Sequence, residues 1–242
     1  MSILDLNNQS YRTLLRSHTN EIISLTYQET TQYLISLSKD GSIRVWNSNN
    51  YEQSYEFNYV LDDPCCCICA STEENIFVGG FNSGIVRAFD VKKITVVSEN
   101  RYHDCPIEDI KVSPDGLYCG LGDNKGFYSL LEARNSFQFK KTFEADVGTT
   151  KIGCAFTPDS QYFATIGSMS SCINIWSLTT LSKVYKIAIN NSFVHSIKFS
   201  NHDKYELIAL TCDSRIKFYS MNGDYATLRG EIPFTHSGFL SS

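Results

Sequence analysis

One spacing recurs along the chain and limits what it can fold into. Trp46, Phe89, Leu131, Trp176 and Tyr219 follow one another at intervals of 43, 42, 45 and 43 residues. Each sits near the end of a similar run: SIRVWN, IVRAFD, FYSLLE, INIWSL and IKFYSM. A two-residue turn precedes each run, at Asp40-Gly41, Ser83-Gly84, Lys125-Gly126, Ser170-Ser171 and Asp213-Ser214. A fixed period of this length marks one small unit that cannot bury its apolar face alone and must stack on its own copies.

The unit is clearest in SHTNEIISLTYQETTQYLISLSKDGSIRVWN, Ser17 to Asn47. Ile22–Tyr27 and Tyr33–Ser38 read as two strands joined by the polar turn Gln28–Gln32. Asp40-Gly41 then turns the chain into Ile43–Trp46, since an Asx-Gly pair tolerates the positive φ of a tight hairpin. After Asn47–Asn50 a fourth run follows, Tyr51–Phe57. The first turn recurs as Ser113-Pro114-Asp115-Gly116 and Thr157-Pro158-Asp159-Ser160, where Pro presets φ and Asp offers a side-chain acceptor.

Ser17-His18, Asp40-Gly41 and Val45-Trp46-Asn47 resemble the Gly-His, Asp-Gly and Trp-Asp signatures of the WD40 repeat, with Ser17 and Asn47 as departures. The resemblance implies an all-β fold, a WD40 β-propeller with five recognisable four-stranded blades. It also implies a hydrogen-bonded set inside the first blade, formed by His18, Ser36, Asp40 and Trp46. The positions that close the third strands of the later blades would be Phe89, Leu131, Trp176 and Tyr219. Those blades depart from the pattern: Gly79, Ser83 and Phe89 stand in the second, Lys125 and Leu131 in the third, which keeps His103. The expected division is an outer strand at 1–16, blades at 17–57, 58–98, 99–143, 144–189 and 190–230, and a tail or start of a further blade at 231–242.

Outer-strand candidates number six against five inner sets: Ser10–Arg16, Tyr51–Phe57, Ile94–Ser98, Phe137–Phe143, Lys183–Ile189 and Asp224–Arg229. In WD40 repeats the outer strand follows the third strand of its own blade, so the resemblance implies that Ser10–Arg16 belongs to a preceding blade, and the expectation is an incomplete part of a larger propeller or one completed by a partner chain. Five blades in an open arc would leave two faces uncovered.

A net charge of −5 argues against nucleic-acid binding through phosphates. No window approaches a membrane-spanning apolar run, and MSILDLNNQSYR has neither a basic start nor a long apolar stretch, so neither membrane span nor secretory leader is expected. Nine cysteines without a leader suggest a reducing compartment. Cys66 and Cys69 form a CxxC inside CCCIC, but no second pair follows and the run falls on a first strand, so it reads as core, with no metal. The glycines of GLGDNKG lie in a strand-to-strand hairpin rather than ahead of a helix, which makes them a turn and not a phosphate loop. His103-Asp104-Cys105 lacks an orienting third group. No catalytic residue and no cofactor are expected; the chain reads as a non-enzyme.

What remains is surface. The loops that lead into each first strand share one end of a WD40-like fold with the second-to-third hairpins. A partner-binding face is expected there from Glu21, Asp62, Asp63, Pro64, Asp104, Glu108, Glu144 and Asp146, with Tyr59 and Ile107 as added apolar contacts. An acidic rim attracts and orients basic segments of other proteins.

The phrases IFVGGFNSGIVRAFDV and YHDCPIEDIKVSPDG resemble large ciliary and centriolar WD-repeat proteins that carry a microtubule-binding domain elsewhere. That resemblance implies a scaffold in a microtubule-associated assembly of the cytoplasm, cytoskeleton or cilium, with tubulin or microtubule-associated proteins as partners. LDLNNQSYRTLLRSH and AFTPDSQYFATIGS are similar instead to the WD40 subunit shared by histone-methyltransferase and transcript-termination complexes, which implies a nuclear scaffold.

Overall fold

A computed structural model describes residues 2–5, 10–14, 17–59, 61–135, 138–144, 152–167, 171–189, 192–203, 205–222 and 225–233. Five four-stranded antiparallel sheets follow one another in chain order. The first holds β3 (Ile22–Gln28), β4 (Tyr33–Ser38), β5 (Ser42–Asn47) and β6 (Gln53–Asn58). The second holds β7 (Cys65–Ala70), β8 (Ile76–Phe81), β9 (Ile85–Asp90) and β10 (Thr95–Arg101). The third holds β11 (Ile107–Val112), β12 (Tyr118–Asp123), β13 (Phe127–Glu132) and β14 (Gln138–Glu144). The fourth holds β15 (Ile152–Phe156), β16 (Tyr162–Gly167), β17 (Cys172–Ser177) and β18 (Lys183–Ala188). The fifth holds β19 (Val194–Phe199), β20 (Glu206–Thr211), β21 (Arg215–Ser220) and β22 (Thr227–Pro233). Ahead of them β1 (Ser2–Asp5) and β2 (Ser10–Leu14) pair as an antiparallel ladder of their own, so the segment expected to hold one strand holds two.

The sheets stack as blades. β3 packs on β7, β7 on β11, β11 on β15 and β15 on β19, which puts the first strand of every sheet innermost. Four apolar clusters fill the spaces between consecutive sheets. Ile35, Leu37, Ile43 and Val45 meet Phe77, Phe81 and Phe89; Val78 and Val86 meet Ile110 and Leu121. Leu130 and Phe143 meet Phe163 and Trp176; Ile173 and Ile175 meet Phe199 and Leu207. Among the described residues no comparable stacking joins β19 to β3, and the arc they form is open.

That opening shows in burial. Leu25 is 51% exposed, whereas Ile68, Ile110, Cys154 and Ile197, which hold the same register in the other sheets, are at most 8% exposed. Each of those four is covered by the preceding sheet. Among the described residues nothing covers Leu25 in the same way, so an apolar side chain worth roughly 2 kcal/mol on full burial stays half in water.

The turns repeat as faithfully as the cores. Left-handed residues fall at Gln32, Asn75, Gly116 and Ser160 before the second strands, at Gly41, Gly84, Gly126 and Ser214 in the hairpins, and at Tyr51, Ile94 and Leu181 before the outer strands. All five outer strands also carry a register shift beside the third-strand position of Trp46, Phe89, Leu131, Trp176 or Tyr219. Such bulges raise local twist, which lets neighbouring blades fan out.

Four expected boundaries move, two of them by a single residue, with β6 ending at Asn58 and β14 at Glu144. β10 runs to Arg101 rather than stopping at residue 98, because the bulge adds a residue and pairing continues to Ile85. β22 runs to Pro233, past residue 230, because Pro233 lies opposite Arg215 on an outer edge where no donor is needed.

Gly84 gives the sharpest test of the hairpin geometry. Its φ is +81°, and an added Cβ would stand 1.9 Å from the His103 carbonyl oxygen. Gly84→Ala is expected to lower unfolding stability by about 2–4 kcal/mol. Gly230→Ala, which meets open space, should change it by less than about 1 kcal/mol. Urea unfolding of both variants checks the contrast.

Candidate functional site

The first sheet joins its four polar residues in one chain of hydrogen bonds. His18 Nδ1 lies 2.9 Å from Asp40 Oδ2, and His18 Nε2 lies 2.7 Å from Ser36 Oγ. The Trp46 indole N–H donates to the same Ser36 oxygen at 2.9 Å. In the tautomer that fits these contacts, Nδ1–H donates to the carboxylate, Nε2 accepts from the Ser36 hydroxyl, and the Ser36 oxygen accepts from Trp46. Asp40 also accepts from the Thr19 and Ser42 amides and from the Ser42 hydroxyl. Burial alone would raise the Asp40 carboxyl, but these bonds outweigh it and hold it well below the usual carboxylate range.

The later sheets keep fragments of this arrangement, some in places the sequence alignment did not assign. In the third, His103 Nδ1 meets Asp123 Oδ2 at 2.7 Å, so the acid is Asp123 at the end of β12 and not a residue at the position of Lys125. Leu121 stands where Ser36 stands in the first sheet, and the buried His103 Nε2 has no partner among the described residues. In the fourth, the Trp176 indole donates to Thr165 Oγ1 at 2.9 Å. A one-residue change of spacing hides that pair from a fixed-offset alignment. In the fifth, Asp213 accepts from the Ser192 and Thr211 hydroxyls. In the second the roles are exchanged: the loop supplies the acid, Asp63, and the hairpin supplies Ser83, whose N–H and hydroxyl donate at 2.8 and 2.9 Å. Phe89, Leu131, Trp176 and Tyr219 are all buried.

His103, Asp123 and Cys105 do cluster, but in the wrong order for a nucleophile. Asp123 accepts from both the His103 ring and the Cys105 thiol, the latter at 3.2 Å. Burial and the adjacent Asp123 carboxylate push the Cys105 thiol up to about 11, so it stays protonated at neutral pH. Cys65 and Cys67 are buried in the two clusters that flank β7.

The loops into the first strands and the hairpins share one end of the arc. Tyr59 N–H donates to Gly41 O, Asn82 to Pro64 O, Tyr102 to Gly84 O and Asn124 to Pro106 O. On this end Asp62 and Asp104 are exposed, and Glu21 pairs with Lys39 at 2.6 Å. Asp63 is spent on the Ser83 cap and lies 3.8 Å from Arg87, so it is no free acceptor. Pro64 is half-buried and Tyr59 donates its hydroxyl to Ser38 O. Ile107 is fully buried against Gly80, where a Cβ would come within 2.6 Å, and it offers a partner no contact. The side chain of Glu144, and Asp146 and Ser170 entirely, lie outside the described residues.

The five innermost strands line a cavity of about 580 Å³ that includes Cys66, Glu108, Asp109, Lys111, Cys154 and His195. Asp109 pairs with Lys111 at 2.5 Å and accepts from the Cys154 amide at 2.9 Å, which ties the third sheet to the fourth. Burial lowers Lys111, but Asp109 outweighs it and keeps the ammonium charged. Burial raises the Glu108 carboxyl. The cavity thus has mixed walls, with Ile22, Leu25, Ile152 and Ile197 beside one ion pair and one carboxylate, Glu108, that has no cationic partner among the described residues.

Comparison with known proteins places these features. The family model "WD domain, G-beta repeat" matches residues 8–47 and 137–177. WD repeat-containing protein 90 of Xenopus tropicalis is 32% identical over 126 residues, covering 50% of this chain and 7% of that protein. Target of rapamycin complex subunit wat1 of Schizosaccharomyces pombe is 25% identical over 187 residues, covering 74% of this chain and 59% of that one. The chain therefore spans less than two thirds of both relatives. A chain in the crystal structure of the mitotic checkpoint complex superimposes with a TM-score of 0.84 at 19% identity, over 98% of this chain and 72% of its own length, which shows the shared fold.

Two outcomes test the first-sheet set. Ser36→Ala leaves His18 Nε2 and Trp46 Nε1 without a partner and is expected to cost about 1–3 kcal/mol in urea unfolding. Because the Asp40 carboxyl is held low in the folded state, its contribution is complete above about pH 4 and is lost as pH falls further. Asp40→Asn should therefore flatten the fall in unfolding midpoint between about pH 5 and pH 3 relative to the parent chain. Asp90, Asp123 and Asp213, also held low, contribute to the slope that remains.

Proposed function

We propose, from the premise that the chain belongs to the WD40-repeat family, that it is a non-catalytic scaffold segment holding other proteins in a cytoskeletal, ciliary or centriolar assembly. The family supports the general part of this reading: an interaction scaffold built from stacked blades. The observation that carries the site is the shared end of the arc, where loops and hairpins present exposed Asp62 and Asp104, while Glu108 lines the cavity between the innermost strands. Uncompensated carboxylates around an opening favour lysine- and arginine-bearing segments of a partner, chiefly through on-rate and orientation.

The Asp123-centred order of His103 and Cys105 supports a structural role for both. The cytoskeletal setting rests on the likeness of IFVGGFNSGIVRAFDV and YHDCPIEDIKVSPDG to large microtubule-associated WD-repeat proteins. It agrees with a relative in which the matched region is 7% of the whole. Tubulin and microtubule-associated proteins are the partners this reading favours, and the cytoplasm is its compartment.

Fractionation tests it. The tagged protein should co-sediment with axonemes and come off with strong salt. The triple variant Asp62→Lys, Asp104→Lys, Glu108→Lys should be released at markedly lower salt while keeping the parent's circular-dichroism spectrum. Equal retention of parent and variant would remove the acidic end as the binding face. Recovery of the protein in the nuclear fraction with a methyltransferase would replace the cytoskeletal setting.

A further inference from the structure

Every blade ends on an outer strand whose far edge pairs with no other strand of its sheet. Exposed edges of this kind invite pairing with another chain, and charged side chains on them discourage it. Three of the five outer strands carry a polar or charged residue at the bulge itself, and a fourth carries one beside it. The bulged position holds Ser54 in β6, Lys140 in β14 and Arg229 in β22, and in β18 it holds Val184 next to Lys183.

β10 differs. Its bulge falls at Val97, beside Val96, and the two are 50% and 46% exposed. Ile94, just ahead, is 55% exposed and adopts a φ of +53°, a left-handed conformation that is costly for a β-branched residue. Solvent exposure and backbone strain both disfavour an apolar β-branched run here, which is what a surface covered in use would carry.

We propose that β10 is a homotypic edge, along which a second copy of the chain pairs antiparallel. The charges choose that occupant and that direction. Lys92 and Lys93 stand exposed at the head of the strand, with Asp90 beside Lys93 at 3.0 Å. At its tail Asp63, Glu99 and Asp104 outnumber Arg87 and Arg101. A two-fold axis across β10 sets the basic head of each copy against the acidic tail of the other; a parallel copy would set like against like. Val96, Val97 and Ile94 of both copies then leave water together. Asp104 borders both this edge and the loop end proposed as a partner site, but Val97→Lys leaves Asp62, Asp104 and Glu108 in place, so either proposal can fail alone.

Sedimentation velocity of the purified full chain across a concentration series tests the proposal. The parent should show a reversible monomer–dimer equilibrium. Val97→Lys places on β10 the residue type that β14 carries at the same register, so the fold is expected to tolerate it, and it should weaken the dimer about tenfold or more. Val184→Lys, the matching change on β18, should leave the dimer unchanged. Slower amide exchange in β10 at high concentration should accompany association and vanish in Val97→Lys. A chain that stays monomeric throughout overturns the proposal. So does a dimer that survives Val97→Lys, or one that Val184→Lys or Leu25→Lys dissolves.

Discussion

Face-to-face packing of four-stranded sheets is the constraint on which the rest of this molecule depends. Each sheet is apolar on both faces, and each apolar face is relieved of water only by the next sheet. The four clusters between consecutive sheets are the result. Leu25 shows what happens where the rule lapses: the same register that buries Ile68, Ile110, Cys154 and Ile197 leaves it half exposed. The bulges, the left-handed turn residues and the innermost position of the first strands all serve this packing, because blades must twist and fan to lie flat on their neighbours.

The polar set of the first sheet is subordinate to that packing, and its decay in later sheets follows. A blade needs its hairpin held to the loop that precedes it, and any acid and donor within reach can do this. His18 with Asp40, Ser83 with Asp63, His103 with Asp123 and Ser192 with Asp213 are four chemical solutions to one geometric demand. The acid moves between loop, strand end and hairpin because only the closing contact matters. The indole of Trp46 or Trp176 adds a second tie where a hydroxyl stands across from it, at Ser36 or Thr165. Where Leu121 replaces that hydroxyl, one ring nitrogen of His103 has no partner among the described residues and Leu131 packs in place of the indole.

For function, the same demand divides the surface. Carboxylates that close hairpins are used up, as Asp63 is, and ones that bridge blades are neutralised, as Asp109 is by Lys111. Among the described residues Asp62, Asp104 and Glu108 are spent in neither way. A thiol and an imidazole lying near each other acquire no chemistry when a carboxylate stands between them and the thiol stays protonated.

Much of the fold was legible in the residues themselves. The 43-residue period, the Asp-Gly and Ser-Gly hairpins and the third-strand aromatics specify a stack of four-stranded units, since strand alternation and turn stereochemistry act over a few residues and need no distant partner. The set of His18, Ser36, Asp40 and Trp46 was implied by the resemblance to the WD40 repeat, since its contacts join residues 10 to 22 apart that no local rule connects. Only the tertiary structure decided that Asp123, not the residue at the position of Lys125, holds His103, that Asp63 is consumed in a cap, and that Ile107 is buried under Gly80. Those outcomes depend on which side chains meet across blades and loops. A bulge or a one-residue change of spacing alters such meetings without altering the period that the sequence displays.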